Sequence, residues 1–393
     1  MVLVRCLKMN NIVDTYEGYE VGPIRPPSEA ESLMIRITRN CPWNNCKFCG
    51  LYKGTKFSIR SKEHVIEDIN QIKRCIDVVK ESEKLNSTDA KKMLAELNSS
   101  LAESERWAYY SAVGWYRAGM ESIFLQDANT LIVKPDDLIE ILEHIRSCFP
   151  EVKRITSYAR SHTVSRISDE DLLRLGKAGL NRIHIGMESA SDQILKLIKK
   201  GVDKTTHIKA GQKIKRTDIQ LSEYFMPGLG GNEYSKENAI ETADALNQIN
   251  PDFIRIRTLA VPERVELYKD YEAGIFTRTN DVKIVEELLL FVENLEGITS
   301  TIKSDHILNL IMEFEGQLPQ DKDKMIKALK WFLELDENEK IIFMVGRRTG
   351  IMNFQYDLND SIKRDRVLNI IKDNNITSQN VDEAIWELMK RFI

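Results

Sequence analysis

The segment Cys41-Pro-Trp-Asn-Asn-Cys46-Lys-Phe-Cys49 packs three thiols into nine residues. At that spacing one loop brings its thiolates onto a single iron–sulfur cluster, and a cubane of four irons then keeps one iron without a protein ligand. An open iron beside a cysteine loop is a seat for a small chelating cosubstrate. The run Leu33-Met-Ile-Arg-Ile-Thr38 just before it reads as a strand. That places the loop at the C-terminal mouth of a barrel strand, where α/β barrels keep their active sites. The competing use of the same cysteines is zinc. Structural zinc takes four ligands in paired spacings, and no second Cys/His pair stands nearby in the sequence.

The elements that must position this loop follow from apolar spacing. Strand-like runs recur at Ser122–Gln126, Arg154–Tyr158, Arg182–Gly186, Gln220–Met226 and Phe253–Leu259, and Leu33–Thr38 makes a sixth. Between them lie helical patterns with sensible ends. In one of these Ser168 sits before Asp169-Glu-Asp-Leu-Leu-Arg-Leu, and Gly179 closes it. Strand and helix alternating in this way argue for a parallel sheet, closed or nearly so. We therefore expect an α/β fold, a partial (β/α)6 TIM-type barrel over residues 31–275 after an N-terminal extension, 1–30. Two long polar-faced helices, from Ser61 to about Lys84 and from Thr88 to about Arg117, exceed what one crossover needs and read as a helical insertion or lid over 61–117. Residues 276–393 form a mostly helical C-terminal module, with Lys322–Leu335 and Asn359–Lys372 its clearest helices.

Composition sets outer bounds. The chain has 393 residues and 42% hydrophobic content, enough for a large core. Its formal charge of −4 and pI near 6.0 give no overall attraction to phosphate backbones, so a nucleic-acid partner is not expected and a small-molecule substrate is. No stretch approaches the roughly 20 apolar residues of a membrane span, and the start of the chain is too short in apolar residues for a signal peptide. We expect a cytoplasmic protein with no membrane partner. Cys6, Cys75 and Cys148 are scattered, and the latter two lie in helical patterns that suit inert core residues.

The cysteine triad, the segment from Gly186-Met-Glu188 through Lys200-Gly201, and Tyr224-Phe-Met-Pro-Gly228-Leu-Gly230-Gly231 together resemble the radical SAM superfamily. The nearest branch holds the coproporphyrinogen oxidase-like and the Elp3-, MiaB- and NifB-like proteins, and the resemblance spans roughly residues 30 to 275. It implies a [4Fe-4S] cluster on Cys41, Cys46 and Cys49. It implies S-adenosyl-L-methionine (SAM) bound to the open iron and cleaved to methionine and a 5′-deoxyadenosyl radical. An external electron donor of flavodoxin or ferredoxin type belongs to the same expectation. Carried over by position, Phe48 neighbours the adenine, Asp127 accepts from the SAM ammonium, Glu188 meets the ribose hydroxyls and Lys200 pairs with the SAM carboxylate. Tyr158 and Arg160 end the third strand at the same mouth, where Tyr158 is expected to contact the cofactor and Arg160 the cosubstrate or substrate. This chain has four residues between its first two cysteines, where the commonest family spacing has three. The stretch before the motif is too short for a cobalamin domain, and no second cysteine cluster follows.

Plainer roles stand beside these. Glu188 near a helix start caps helices in many proteins, Lys200 is a solvated lysine in its bland reading, and Asp127 and Asn129 shape a strand-to-helix turn. The glycines at 228, 230 and 231 read as a tight turn beside the adenine. His162 and His184 suit hydrogen-bonded core positions more than chemistry, and His306 follows a helix-capping Ser304-Asp305 pair. Arg255 and Arg257 alternate along one strand and so share a face; if that face is the interior they hold an anionic substrate. The leading functional reading is a radical SAM enzyme acting on a small molecule. The alternatives are a haem or cofactor carrier that binds the cluster without turnover, and a tRNA-modifying radical SAM enzyme.

Overall fold

The computed structural model describes residues 15–392; Cys6 and most of the first half of the expected N-terminal extension lie outside the described residues. Eight strands form the main sheet: β1 Leu33–Arg36, β2 Ser122–Gln126, β3 Arg154–Ala159, β4 Arg182–Glu188, β5 Gln220–Phe225, β6 Phe253–Ile256, β7 Thr301–Lys303 and β8 Gly316–Gln317. They pair in sequence order. β1 to β7 are parallel and β8 turns back antiparallel on β7. β1 and β8 stand at the two edges, so the barrel is partial.

The residues dictate which face of the sheet is dry. Ile35, Ile123, Ile155, Ile183, Leu221 and Ile254 are fully buried and occupy one side, where helices cover them. Each such side chain contributes about 1.5–3 kcal/mol by leaving water. On the other side the register aligns Tyr158 with His184, His184 with Ser222 and Tyr224 with Arg255. That is the concave face, and it is polar and aromatic. The β7 and β8 strands fall beyond residue 276, so the sheet continues into the part expected to be mostly helical. The helices expected there are present as Lys322–Glu334 and Ser361–Asp373.

The segment 61–117 departs from its expectation. It folds as three helices, α1 Lys62–Ser82, α2 Ser87–Ser100 and α3 Glu103–Arg117, where two were expected. Local chemistry makes the break. The hydroxyls of Ser99 and Ser100 bond back to the carbonyls of Ala95 and Leu97, while the Glu105 carboxylate accepts from the Ala102 N–H at 3.0 Å and starts a new helix. α1 and α3 send Val65, Ile69, Ile72, Ala108 and Ala112 into the main core. α2 buries nothing. Among the described residues none of the segment lines the cavity at the strand ends, and α1 and α3 pack it on the outside of the sheet.

Candidate active site

A cavity opens where the parallel strands end, and the cysteine loop forms one wall of it. Cys41, Cys46 and Cys49 all line it as free, half-exposed thiols. The loop is shaped locally by Asn40 and Asn44 in left-handed conformations, at φ 66° and 48°, which asparagine tolerates better than most residues. The N–H of Cys49 bonds the carbonyl of Cys46 at 3.3 Å, and the Trp43 indole N–H donates to the Lys199 carbonyl at 2.7 Å. Trp43 also packs against Gly201, where any Cβ would collide with its ring.

Two cations stand near the Cys46 thiol and work against its burial. Burial pushes the Cys46 thiol up, Lys200 and Arg160 pull it down, and the other two cysteines push it up again. The three sulfurs therefore sense one another, with two cations beside them. Arg160 lies over the Trp43 ring at 5.2 Å and donates to the Lys200 carbonyl at 2.8 Å. Among the described residues, no group of three or more His, Cys, Asp or Glu is drawn tightly enough for a single metal ion. Three thiols sharing a cavity wall with compensating cations fit the open, three-ligand arrangement of an iron–sulfur cluster.

Four of the five other expected site residues meet at this cavity: Phe48, Tyr158, Glu188 and Lys200. Lys200 Nζ lies 3.2 Å from Glu188 Oε1 with both side chains mostly buried, and 5.6 Å from the Phe48 ring centre. Glu188 does not cap the helix that follows. Ser191 does, its hydroxyl accepting from the Ile194 N–H at 3.3 Å. Glu188 itself sits at φ 68°, a left-handed conformation that costs free energy in a non-glycine residue, where the β4–β5 register shifts. Tyr158 meets Phe124 edge-on at 5.2 Å and stands 5.8 Å from the His184 ring.

Asp127 is the exception. Its carboxylate is fully buried beneath the loop, 2.8 Å from Arg36, accepting from the Tyr52 hydroxyl at 2.8 Å and from the Asn40 N–H at 3.3 Å. With its acceptor positions so occupied and no face on the cavity, it anchors the loop instead of meeting a cosubstrate ammonium. Asn129 takes the turn-shaping role: its amide donates to Thr163 and its oxygen accepts from the Arg160 N–H at 3.0 Å. The glycine turn is tight, with Gly228 at φ 86° and Gly231 at φ 62°. It is held from behind by Glu287, whose buried carboxyl is pushed up to about 7 and accepts from the Gly228 N–H, Ser235 and Asn238.

The remaining candidates separate. His184 is buried on the concave face and held down to about 4, chiefly by burial, so it is neutral. His162 does not line the cavity, and neither Cys75 nor Cys148 does. Arg255 pairs with Asp305, whereas Arg257 lines the cavity. Sequence reasoning missed Tyr52, which clamps Asp127, and passed over Tyr224, a cavity residue that period-two alternation from Ser222 would have found. Glu223, next to Tyr224 but not a cavity residue, is fully buried, has no hydrogen-bond partner among the described residues and is pushed far up by burial; no sequence signal marks it.

Comparison with known proteins adds an independent line. The family model of the Radical SAM superfamily matches residues 111–243. A curated tRNA uridine(34) acetyltransferase from Methanocaldococcus infernus is 28% identical over 120 residues, covering 30% of this chain and 22% of that protein. Its namesake from Methanocaldococcus jannaschii is 24% identical over 119 residues, with the same coverage. The match thus spans about a fifth of these relatives' length. Among solved structures, coproporphyrinogen III oxidase from Escherichia coli aligns with a TM-score of 0.44 and 13% identity, over 67% of this chain and 52% of that one.

Proposed function

The chain belongs to the radical SAM superfamily, and from that premise we propose that it is an enzyme that reductively cleaves SAM at a [4Fe-4S] cluster and acts on a nucleoside within tRNA. The observation that carries the proposal is the meeting of three free thiols with Phe48, Glu188, Lys200 and Tyr158 around one cavity at the C-terminal ends of the strands. Cys41, Cys46 and Cys49 would hold the cluster at this cavity, where it would supply the one-electron reduction of SAM that makes a hydrogen-abstracting 5′-deoxyadenosyl radical available to the substrate.

The residues of this chain do the rest. Cys41, Cys46 and Cys49 would hold three irons as thiolates, and at Cys46 the Lys200 and Arg160 charges pull against the burial that keeps the thiol protonated. Glu188 occupies one of the three donor positions of Lys200, leaving others for a carboxylate. The Phe48 ring offers a face for adenine, and the Glu188 carboxylate accepts from ribose hydroxyls. Asp127 keeps the loop in register from below. The electron comes from an external donor of flavodoxin or ferredoxin type.

The substrate reading departs from the small-molecule expectation. Curated relatives carry tRNA in their names, which favours RNA over a free metabolite despite the net charge of −4. The test is anaerobic reconstitution followed by dithionite and SAM, with chromatography for 5′-deoxyadenosine. Wild type forms it and Cys46→Ala does not, and added tRNA raises the yield. Equal product from Cys46→Ala overturns cluster-based cleavage, and indifference to tRNA overturns the substrate.

A further inference from the structure

The two arginines at alternate positions on and just after β6 are used differently. Arg255 is buried and its guanidinium donates to Asp305. Arg257 stands just past the end of the strand, its backbone N–H bonded to the Phe225 carbonyl at 3.0 Å. Its side chain is exposed, lines the cavity, and has no ion pair or hydrogen bond among the described residues. The other two cations of the cavity are engaged: Lys200 with Glu188, and Arg160 with the Trp43 ring and the Lys200 carbonyl.

The nearest charges besides Arg257 acting on this part of the wall are Arg255 and Asp305, which pair with each other. The Arg257 charge acts on the phenols of Tyr158 and Tyr224, both cavity residues, and on the imidazole of His306. His306 accepts the Leu308 N–H at Nδ1, so its proton sits on Nε2 and it carries no charge of its own. The cysteine loop follows β1 and Arg257 follows β6, four strands lying between them in the sheet. A guanidinium with five donors and no counter-ion on a cavity wall is a ready seat for an oxyanion, and its planar fork matches phosphate in two-point contact. Tyr158 and Tyr224 beside it offer ring faces of the kind on which bases stack.

We propose that Arg257 is the specificity-determining anchor of the cavity, taking a phosphate of the substrate nucleotide while Tyr158 and Tyr224 flank its base. This rests on the RNA reading and deepens it. The test is titration of the cluster-loaded protein with uridine 5′-monophosphate, uridine, succinate and an anticodon stem-loop RNA, using wild type, Arg257→Gln and Arg257→Lys. Iron content and melting temperature report whether each variant has folded.

Wild type binds the monophosphate more tightly than uridine. Arg257→Gln removes that advantage, a loss of about tenfold or more, the scale of a charge-assisted hydrogen bond, and Arg257→Lys restores part of it. Equal monophosphate affinity in wild type and Arg257→Gln overturns the anchor, as does the absence of any monophosphate advantage. Arg257-dependent binding of succinate with no advantage for the monophosphate over uridine also overturns it, in favour of a carboxylate substrate. Stem-loop binding indifferent to Arg257 overturns the anchor and leaves the RNA reading standing. Arg257-dependent monophosphate binding without stem-loop binding leaves the anchor and removes the RNA reading.

Discussion

At the start of the parallel strands a fully buried carboxylate and its partners close the sheet, whereas at their ends charged and nucleophilic groups stand half-open around a cavity. The floor is closed by the short turn of helix Pro27–Glu29, whose Glu29 carboxylate is fully buried, takes a 2.6 Å hydrogen bond from Ser32 and lies 3.3 Å from Arg154. Ser32 in turn meets Ser122 at 2.7 Å, tying the entry of β1 to the first residue of β2. At the mouth, three thiols, a Glu188–Lys200 pair and Arg257, without a side-chain partner among the described residues, face one cavity. Both ends belong to one sheet with one register. The contrast teaches that the strands are a fixed frame whose C-terminal ends present charged and nucleophilic groups to what enters the cavity.

The contrast breaks most severely at Asp127, a mouth residue that behaves like a floor residue. Asp127→Asn removes the charge that pairs with Arg36 and weakens the hold on Tyr52 and Asn40. Arg36 keeps Glu20 at 2.9 Å as a second partner, so the cost lies at the lower end of the roughly 3–5 kcal/mol for breaking a buried pair. The expected outcome is a lower melting temperature together with reduced iron after reconstitution, read by calorimetry and iron assay. A variant that melts lower but keeps full iron would show that the loop holds its shape without this anchor.

Glu29→Gln sharpens the comparison from the other end. Burial alone would raise the Glu29 carboxyl, but the nearby His184 imidazole, the Ser32 hydroxyl and the Arg154 charge outweigh it and hold it down to about 2. A carboxyl depressed from its ordinary 4.5 contributes stability that is present above pH 4.5 and lost as the pH falls toward 2. That difference is worth roughly 3 kcal/mol. Wild type therefore loses stability steeply across this window, and Glu29→Gln starts lower at neutral pH and falls less. His184, held near 4, adds a loss of the same sign below pH 6.5 in both proteins. Iron content of Glu29→Gln at neutral pH matches wild type; a drop would mean that the floor and the mouth are coupled.

How far the sequence reached follows the same division. The six strands were legible because isoleucine and leucine alternate with polar residues, and the cysteine loop because its spacing has few other uses. The short β7 and β8, three and two residues long, carry no periodicity to read. The break between α2 and α3 rests on serine hydroxyls competing with the helix ladder, which sequence pattern does not weigh against helix propensity. Asp127 looked like a cosubstrate ligand because its position at a strand end suits one. Only the placement of Arg36, Tyr52 and Asn40 shows that its carboxylate is already taken. Long-range partners of this kind lie up to 91 positions away in the chain and leave no local trace.

Glu188→Ala gives the smallest effect and the finest division between mouth and floor. The carboxylate does no capping, since Ser191 starts the next helix. Its one ion-pair partner among the described residues is Lys200, and both side chains keep 12–13% of their surface open. A floor carboxylate removed in this way would lower stability. A mouth carboxylate would instead lower affinity for what enters. The replacement leaves the backbone at the same costly φ, so strain is neither added nor relieved. The expected outcome is unchanged iron content, a melting temperature close to wild type, and SAM binding weakened about tenfold by calorimetry, the loss of one charge-assisted hydrogen bond. Unchanged SAM affinity with a clearly lower melting temperature would make Glu188 a counter-ion for Lys200 and nothing more, and would move the ribose contact to another residue of the cavity.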